Sequence, residues 1–440
     1  MAEKKSWGII GGGILGMTLA LRLKNAGQDV TIFESDSKAG GLASAWELDG
    51  ITWDKYYHVI LMSDLNTRRI LMEIGLEDEI NWVETKTGFY SGGKLYSMSN
   101  IFEFLQFPPI NLIDKFRLGL TILVASKMKN WQKLEKVHVA DWLIRLSGRN
   151  VFEKIWLPLL KAKLGENYKE TSAAFIWSTI QRMYAARKSG LKKEMFGYVN
   201  GGYNIINEKF ASHLAGLEVT FKLNSNVNSI LPESEGKIGL QLSDDKIFEF
   251  DHIISTLSPS QSAKLAASLP EDEKRKHNNV KYLGVICPSL LMNKPISPYY
   301  VTNITDTNTP FTGIIEMTAL IDKDKELKGK NLIYLPKYVN PDDALFESND
   351  EEIRKIFLGK LFDMYPHLSE EDVLYFGVAR SRIVFALPTI DYSLKLPGIR
   401  TSIDNFYIIN SAQIINGTLN VNETIQVAEN KLKEILIKNE

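Results

Sequence analysis

The sequence predicts an α/β fold, and three observations near its start predict it. A short β-rich run, "SWGII", stops at the glycine-rich stretch "GGGILG". Leucines then recur every four residues, at Leu15, Leu19 and Leu23, until Gly27. A second β-rich run, "DVTIFE", follows directly and ends in an acidic residue. Strand, glycine turn, helix and strand in this order form a βαβ unit, which is the building block of a parallel sheet.

The glycine turn of this unit has the spacing Gly11-x-Gly13-x-x-Gly16. The first glycine permits a tight turn, the second lets the backbone approach a pyrophosphate, and the third lets helix and strand pack closely. The helix that follows presents free N–H groups and the positive end of its dipole to the phosphates. The unit therefore predicts a Rossmann-like nucleotide-binding domain.

The acid at the end of the second strand lies 23 positions after Gly11. A carboxylate there accepts hydrogen bonds from ribose hydroxyls, and its charge would repel a 2′-phosphate, which argues against NADP. The βαβ unit thus supplies a first set of predicted cofactor-binding residues: Gly11, Gly13, Ile14, Leu15, Gly16, Glu34 and Ser35.

A second glycine pair follows the acid in the spacing Glu34-x5-Gly40-Gly41. This pattern resembles the extended fingerprint of FAD-dependent amine oxidases, protoporphyrinogen oxidases, phytoene desaturases and UDP-galactopyranose mutases. The resemblance implies FAD as the cofactor, since the pair in those families lets the loop pass close to the FAD pyrophosphate and ribityl chain. It adds Gly40, Gly41, Leu42 and Ala43 to the predicted site. The alternative is a plain turn before the strand "ASAWEL".

The segment "WDKYYHVILMSD" resembles the stretch that crosses the flavin face in these families. Its "YHVI" is most similar to the "PHIF" of the mutases, which implies that His58 lies near the flavin ring and makes it the candidate catalytic residue. The alternative is a partly buried histidine on a strand. "DLNTRRILMEIGL" follows as an amphipathic helix that ends at Gly75.

Two later stretches resemble the remaining flavin-binding pieces of the superfamily. "YVNGGYNIINEKF" resembles the glycine pair and helix that return the chain to the nucleotide, after which Val227 matches the position whose backbone meets the adenine. "DNFYIINSAQIINGTLNVNETIQVAEN" resembles the closing motif and implies contacts from Ser411, Leu419, Val421 and Thr424. Asn410-Ser411 replace the usual Gly-Asp here, and Val427 replaces a common glycine.

These pieces predict a discontinuous FAD-binding domain of residues 1–76, 198–262 and 396–440. The intervening residues 77–197 and 263–395 are predicted to form a mixed α+β substrate domain that carries a helical insertion. Long helical patterns from Ile101 to Gln181 contain the aromatic residues of this insertion, which are predicted to be mostly core: Phe102, Phe104, Phe107, Trp142, Trp156 and Trp177.

Composition excludes several other classes of protein. The 52 basic and 53 acidic residues leave a net charge of −1, so no overall field would attract nucleic acid. The single cysteine, Cys287, is predicted to be core; it forms no internal disulfide or multi-cysteine metal site, and no metal is expected. The chain suits a reducing cytoplasm. No stretch reads as a bilayer span, although peripheral membrane contact and the oligomeric state stay open.

The predicted function is an FAD-dependent oxidoreductase that takes a hydride from a small organic substrate. A redox-neutral mutase acting on a nucleotide sugar is one alternative. The "YHVI" match supports it, as does a basic cluster that could pair with a diphosphate: Arg182, Arg187, Lys188, Lys192 and Lys193. A flavoprotein that binds its cofactor without turnover is the other alternative.

Overall fold

The computed structural model describes residues 3–187, 195–234 and 236–437. Within these ranges the chain forms 21 strands. In chain order they are β1 (Ser6–Ile10), β2 (Asp29–Phe33), β3 (Ala45–Leu48), β4 (Ile51–Asp54), β5 (Ile60–Leu61), β6 (Ile80–Glu84), β7 (Thr87–Ser91), β8 (Lys94–Ser97), β9 (Met195–Val199), β10 (Thr220–Lys222), β11 (Val227–Ser234), β12 (Lys237–Leu242), β13 (Ile247–Phe250), β14 (His252–Ser255), β15 (Tyr282–Met292), β16 (Val301–Ile304), β17 (Gly313–Glu316), β18 (Asn331–Tyr334), β19 (Lys337–Val339), β20 (Val373–Ala386) and β21 (Phe406–Ile408).

The same ranges contain 16 α-helical segments, and a π-helical turn, Phe152–Trp156, joins the seventh to the eighth. They are α1 (Ile14–Asn25), α2 (Leu65–Glu73), α3 (Ile101–Gln106), α4 (Leu112–Lys127), α5 (Trp131–Leu134), α6 (Val139–Ser147), α7 (Arg149–Val151), α8 (Leu157–Leu164), α9 (Ala173–Arg187), α10 (Gly202–Gly216), α11 (Pro259–Leu265), α12 (Glu271–Asn278), α13 (Lys323–Glu326), α14 (Asp350–Met364), α15 (Tyr392–Lys395) and α16 (Val421–Leu436).

A five-stranded parallel sheet has the order β10-β2-β1-β14-β21. The predicted βαβ unit is confirmed as β1, α1 and β2, with Ser6 paired to Asp29 and Ile10 to Phe33. The strands come from residues 6–33, 220–255 and 406–408, which are far apart in the chain. Helices α1, α10 and α16 pack over the sheet in one apolar core. Burial on both faces explains why the inner strands β1 and β14 are mostly apolar, whereas the edge strand β10 exposes Thr220 and Lys222.

A second, largely antiparallel sheet of eight strands is centred on β15. All 11 residues of β15 are buried; one edge of the strand pairs with β18 and β19, and the other pairs with β20. Cys287 lies in this strand with no exposed surface, so the prediction that it is core is confirmed. Burial raises the pKa of its thiol well above the usual range, which makes it a packing residue rather than a nucleophile.

Residues 101–187 are mostly helical and share one apolar core with residues of β7, β15 and β20. Phe107, Trp142, Trp156 and Trp177 are buried in it, and Phe104 packs against it. The core prediction is wrong for Phe102, which is 74% exposed. The short helix α3 buries only one face, and Phe102 lies on the opposite face.

Candidate functional site

The carboxyl ends of the parallel strands meet at a single edge of the five-stranded sheet. In spatial order, the chain leaves this edge near Ser225, Glu34, Gly11, Thr256 and Ser411. Neighbouring strands are about 4.8 Å apart. The edge is therefore a row of loops that a long ligand can follow, and ligands of open α/β sheets bind at this edge.

The three glycines of the first turn have different steric surroundings. Gly11 has φ +105°, and an added Cβ would lie 2.3 Å from Thr256 Oγ1. A Cβ on Gly16 would lie 2.0 Å from the carbonyl oxygen of Gly11. Gly13 differs, because its nearest neighbour would be the Gly41 Cα at 3.7 Å, an ordinary contact. The protein itself therefore requires glycine at the first and third positions but leaves room for a methyl group at the second.

The N-terminus of α1 is open to an anion. Gly13 occupies the N-cap position, no side chain caps the helix, and its first turn contains no acidic residue. Ile14 and Leu15 bury their side chains in the core, so only their backbone faces the turn. The N–H groups of a first helical turn lack partners within the helix, and they bind phosphate readily. The pyrophosphate of a dinucleotide fits this arrangement.

Glu34 is buried beside the same turn and is already hydrogen-bonded to the protein. Its Oε2 accepts from the Gly12 N–H at 2.7 Å, while Oε1 accepts from the Asp36 N–H at 3.0 Å and from the Ser35 hydroxyl at 3.1 Å. A carboxylate offers about four acceptor positions, so one stays available for a ribose hydroxyl. Glu34 thus holds the loop and can also contact a ligand.

The second glycine pair lies directly on the first turn. Gly40 donates its N–H to the Gly12 carbonyl at 3.0 Å and forms a parallel bridge with Gly13. Gly40 and Gly41 both have positive φ, +144° and +57°. A Cβ on Gly41 would come within 3.2 Å of the Gly13 Cα, which is tighter than most such contacts. The two glycine stretches therefore form one structure, and the pair is more than a plain turn before β3.

Asn207, on α10, is a site residue that the sequence did not reveal. Its Nδ2 donates to the Ala43 carbonyl at 2.7 Å, and a Cβ on Gly40 would lie 2.7 Å from that nitrogen. Its buried Oδ1 is left without a partner among the described residues. Asn207 thus ties α10 to the second glycine loop through the Ala43 carbonyl. Within that loop Ala43 is buried and Leu42 is half-buried.

Val227 is buried at the start of β11, two residues after Ser225. The Ser225 N–H donates to the Glu34 carbonyl at 2.8 Å, so this strand begins beside the acid. At the other end of the row, Asn410 is buried and connects two loops. Its Nδ2 donates to the Leu257 carbonyl at 2.9 Å, and its Oδ1 accepts from the Ala412 N–H at 3.0 Å. The half-buried Ser411 follows it.

The three remaining predicted residues, Leu419, Val421 and Thr424, lie half-buried around the start of α16. Asn420 caps this helix by accepting from the Glu423 N–H at 3.0 Å. The Thr424 hydroxyl donates to the Asn420 carbonyl at 2.8 Å. The Thr424 hydroxyl therefore has a partner within its own helix.

His58 lies between β4 and β5, over Tyr203 of α10 at a ring distance of 5.0 Å. Its Nδ1 is 3.0 Å from the Tyr56 carbonyl, an acceptor, so Nδ1 carries the proton and Nε2 is the free ring nitrogen. Asp54 Oδ2 lies 3.7 Å away. Burial raises the pKa of the Asp54 carboxyl, and the Tyr203 N–H donates to it at 2.8 Å. The ring is therefore held in one orientation.

A partly buried ion pair links the start of α2 to α9 beside this segment. Asp64 Oδ2 accepts from Arg182 at 3.0 Å and from the Leu61 N–H at 3.0 Å. One guanidinium nitrogen of Arg182, a member of the predicted diphosphate-binding cluster, is thus already bonded to a carboxylate. The Arg187 side chain and Lys188, Lys192 and Lys193 lie outside the described residues.

A cleft of about 410 Å³ opens beside the second glycine loop. It is lined by Gly41, Leu42, Ser44 and Tyr56 on one side, and by residues 378–381 of β20 on the other. The cleft therefore lies between the glycine loops and the second sheet, a position in which small-molecule sites are common.

The sequence model of the family of flavin-containing amine oxidoreductases matches residues 16–407 of the chain. The chain belongs to this family. It is an FAD-dependent oxidoreductase, which confirms the predicted cofactor and the resemblance noted above. The uncapped α1 and the joined glycine loops fit that cofactor.

Individual proteins that the chain resembles are more distant. It is 21% identical to a probable zeta-carotene desaturase from Synechococcus elongatus over 451 residues, 92% of each chain. The structure resembles a putative protoporphyrinogen oxidase from Exiguobacterium sp. 255-15, with TM-score 0.76 and 15% identity over 100% of both chains. It also resembles a reduced UDP-galactopyranose mutase, with TM-score 0.74 and 14% identity over 98% of this chain and 96% of the other. The two structural similarities show a shared fold, and at identities this low they show the fold alone.

In the part of the chain that the structure describes, no helix has the length and apolar character needed to cross a membrane.

Proposed function

We propose that the enzyme removes a hydride from a carbon atom of a small organic substrate held between the glycine loops and the second sheet. When bound, FAD supplies the hydride acceptor. The observation that carries the proposal is the contact between Gly13 and Gly40–Gly41, which joins the two glycine stretches into one uncapped anion site. Family membership supports oxidoreductase chemistry at that site.

We assign the cofactor contacts along the carboxyl edge of the parallel sheet. The pyrophosphate is held by the N-terminus of α1, where the backbone of Gly13, Ile14 and Leu15 faces the turn. Glu34 accepts from the ribose, with Ser35 supporting its carboxylate, and Val227 adjoins the adenine. The loop of Gly40 to Ala43, which contacts the first glycine turn, would help to hold the same pyrophosphate. Toward the flavin, the contacts are assigned to Ser411, Leu419, Val421 and Thr424.

We further propose the domain division predicted above, with 1–76, 198–262 and 396–440 binding FAD and 77–197 and 263–395 forming the substrate domain. The parallel sheet supports it, because its five strands come from the first three ranges alone. The helical residues 101–187 support a helical insertion, since their core extends onto β15 and β20 of the second sheet.

His58 is the residue we assign to the reacting end of the site. The contact of its Nδ1 with the Tyr56 carbonyl leaves Nε2 able to accept a hydrogen bond. The buried Asp54 and the Tyr203 ring hold the imidazole in place, so its position is set before a substrate enters. Such a group can orient a substrate or tune the electron affinity of a neighbouring ring.

The test is anaerobic mixing of the purified flavoprotein with candidate substrates while the oxidised flavin absorbance is followed. A true substrate bleaches this absorbance, and an added electron acceptor restores it. Gly13→Val, which we expect to lose the cofactor, is the matched control for signals that do not come from the site.

The structural similarity to a UDP-galactopyranose mutase supports one alternative, a redox-neutral mutase acting on a nucleotide sugar. A mutase requires prior reduction by dithionite, converts a nucleotide sugar without consuming acceptor, and shows no net bleaching by substrate. That result would overturn the hydride-transfer proposal. A flavoprotein without turnover would show neither reaction with any substrate class of the family.

A further inference from the structure

The outer face of the helical region carries a concentrated apolar surface. Eight of the 17 exposed large apolar side chains of the described chain lie within 22 residues, on α3 and α4. We name these the α3–α4 patch: Phe102, Leu105, Leu112, Ile113, Phe116, Leu120, Ile122 and Leu123. Three of them, Phe102, Leu112 and Phe116, are more than 70% exposed.

Helix α4 is apolar on two faces, and only one of them is packed against the protein. Leu118 and Ala125 are buried in the helical core. Leu112, Phe116, Leu120 and Leu123 are spaced by four, four and three residues, which places them on one exposed stripe. A surface helix ordinarily has polar residues on its outer face, so this stripe requires another explanation.

The two helices of the patch are held together by a buried lysine. Lys115 is 6% exposed, and its Nζ donates to the Leu105 carbonyl at the end of α3 at 2.7 Å. Asn100 caps α3 and Asn111 caps α4. The patch is therefore presented on two capped helices of fixed relative position.

Every exposed charged side chain between residues 104 and 140 is positive, and the next exposed acid along the chain is Asp141 on α6. The positive side chains are Arg117, Lys127, Lys129, Lys133 and Lys136, and none of the five forms an ion pair with another described residue. The two acidic residues of this range are buried: Asp114 accepts from Asn150, and Glu135 accepts from the backbone and hydroxyl of Ser393. The chain as a whole has a net charge of −1, so this positive charge is local.

We propose that the α3–α4 patch docks the enzyme on an anionic lipid bilayer, with α4 lying in the plane of the interface. An apolar stripe with aromatic residues, flanked by lysines and arginine, is the combination that binds such surfaces. The 16 residues of α4 span about 24 Å, which is shorter than the hydrocarbon core of a bilayer, about 30 Å. The helix therefore lies on the bilayer and does not cross it. The inference rests on the patch alone and is independent of the proposed hydride transfer.

The experiment is sedimentation of the intact flavoprotein with phosphatidylcholine vesicles, with and without phosphatidylserine. Binding is expected to the mixed vesicles and to weaken as salt is added, because the lysine contribution is screened. Phe116→Ser should lower the binding constant by at least about tenfold, from the lost burial of one large apolar side chain. Met72→Ser, at a residue 67% exposed on α2, is the matched control and should bind like the parent.

Charge is tested separately with Lys129→Gln and Lys133→Gln, each expected to weaken binding about fivefold. A direct measurement uses Phe116→Cys labelled with an environment-sensitive fluorophore, since the native cysteine is buried. The emission should shift to the blue on mixed vesicles, and that of Met72→Cys should not. Absence of binding to both vesicle types would overturn the proposal. So would a concentration-dependent dimer that Phe116→Ser abolishes, because the occupant of the patch would then be a second copy of the chain.

Discussion

Replacing Gly13 and Gly16 separately with alanine distinguishes a glycine needed to bind the cofactor from a glycine needed to pack the protein. At Gly13 the backbone has φ −72° and ψ 178°, which any residue adopts, and the added Cβ would have no neighbour within 3.7 Å. The stability of the FAD-free protein should therefore change by no more than about 1 kcal/mol. The methyl group would nevertheless occupy the space assigned to the pyrophosphate.

At Gly16 the added Cβ would lie 2.0 Å from the Gly11 carbonyl oxygen. The oxygen is a backbone atom, and the Cβ is bonded directly to the helix backbone, so neither can rotate away and the helix must move away from the strand. Overpacking of this kind costs about 1–3 kcal/mol, and a backbone obstacle puts Gly16→Ala at the upper end. Stability should thus fall by about 3 kcal/mol in the absence of any cofactor.

The assay is urea unfolding of the FAD-free variants, together with titration of each with FAD. Gly13→Ala should unfold like the parent yet bind FAD at least about tenfold more weakly, which corresponds to about 1.4 kcal/mol. Gly16→Ala should unfold at a clearly lower urea concentration. Parental FAD affinity in Gly13→Ala would refute the placement of the pyrophosphate, and parental stability in Gly16→Ala would refute the steric argument.

Three further predictions concern the side chains of Glu34, Glu316 and His58. Glu34→Gln turns an amide N–H₂ toward the Gly12 or Asp36 N–H, so stability should fall by about 1.5–3 kcal/mol in urea unfolding and FAD should bind more weakly. Burial raises the pKa of Glu316 to about 7, above its unfolded value. The folded state therefore holds the proton more tightly than the unfolded state. The free energy of unfolding should fall by about 3 kcal/mol as the pH rises from 4.5 to about 7. Glu316→Gln should remove that loss in urea unfolding at several pH values. His58→Ala should slow substrate-dependent bleaching or shift the flavin potential in a redox titration.

Each of these predictions has an outcome that would contradict it. Parental FAD affinity in Glu34→Gln would mean that Glu34 only holds the loop. A parent and a Glu316→Gln variant that lose stability in parallel between pH 4.5 and 7 would show that Glu316 does not titrate in this range. Unchanged kinetics and potential in His58→Ala would make His58 a packing residue.

The local parts of the fold and of the site were predictable from sequence. The strand–turn–helix–strand unit depends on glycine spacing, leucine periodicity and a terminal acid, all within residues 6–34, where short-range sterics decide the conformation. The core position of Cys287 followed from its apolar neighbours. The flavin cofactor followed from the resemblance carried by the two glycine stretches, and the family match confirmed it.

Contacts between distant parts of the chain were decided only by the tertiary structure. Asn207 reaches Ala43 across 164 positions, and Arg182 reaches Asp64 across 118. Neither pair has a local pattern, because each depends on how α10 and α9 pack. Phe102 and Phe107 are only five positions apart in the chain, yet one is exposed and the other buried. A sequence specifies that a side chain is apolar; which apolar side chains find a partner depends on the orientation in which whole helices dock.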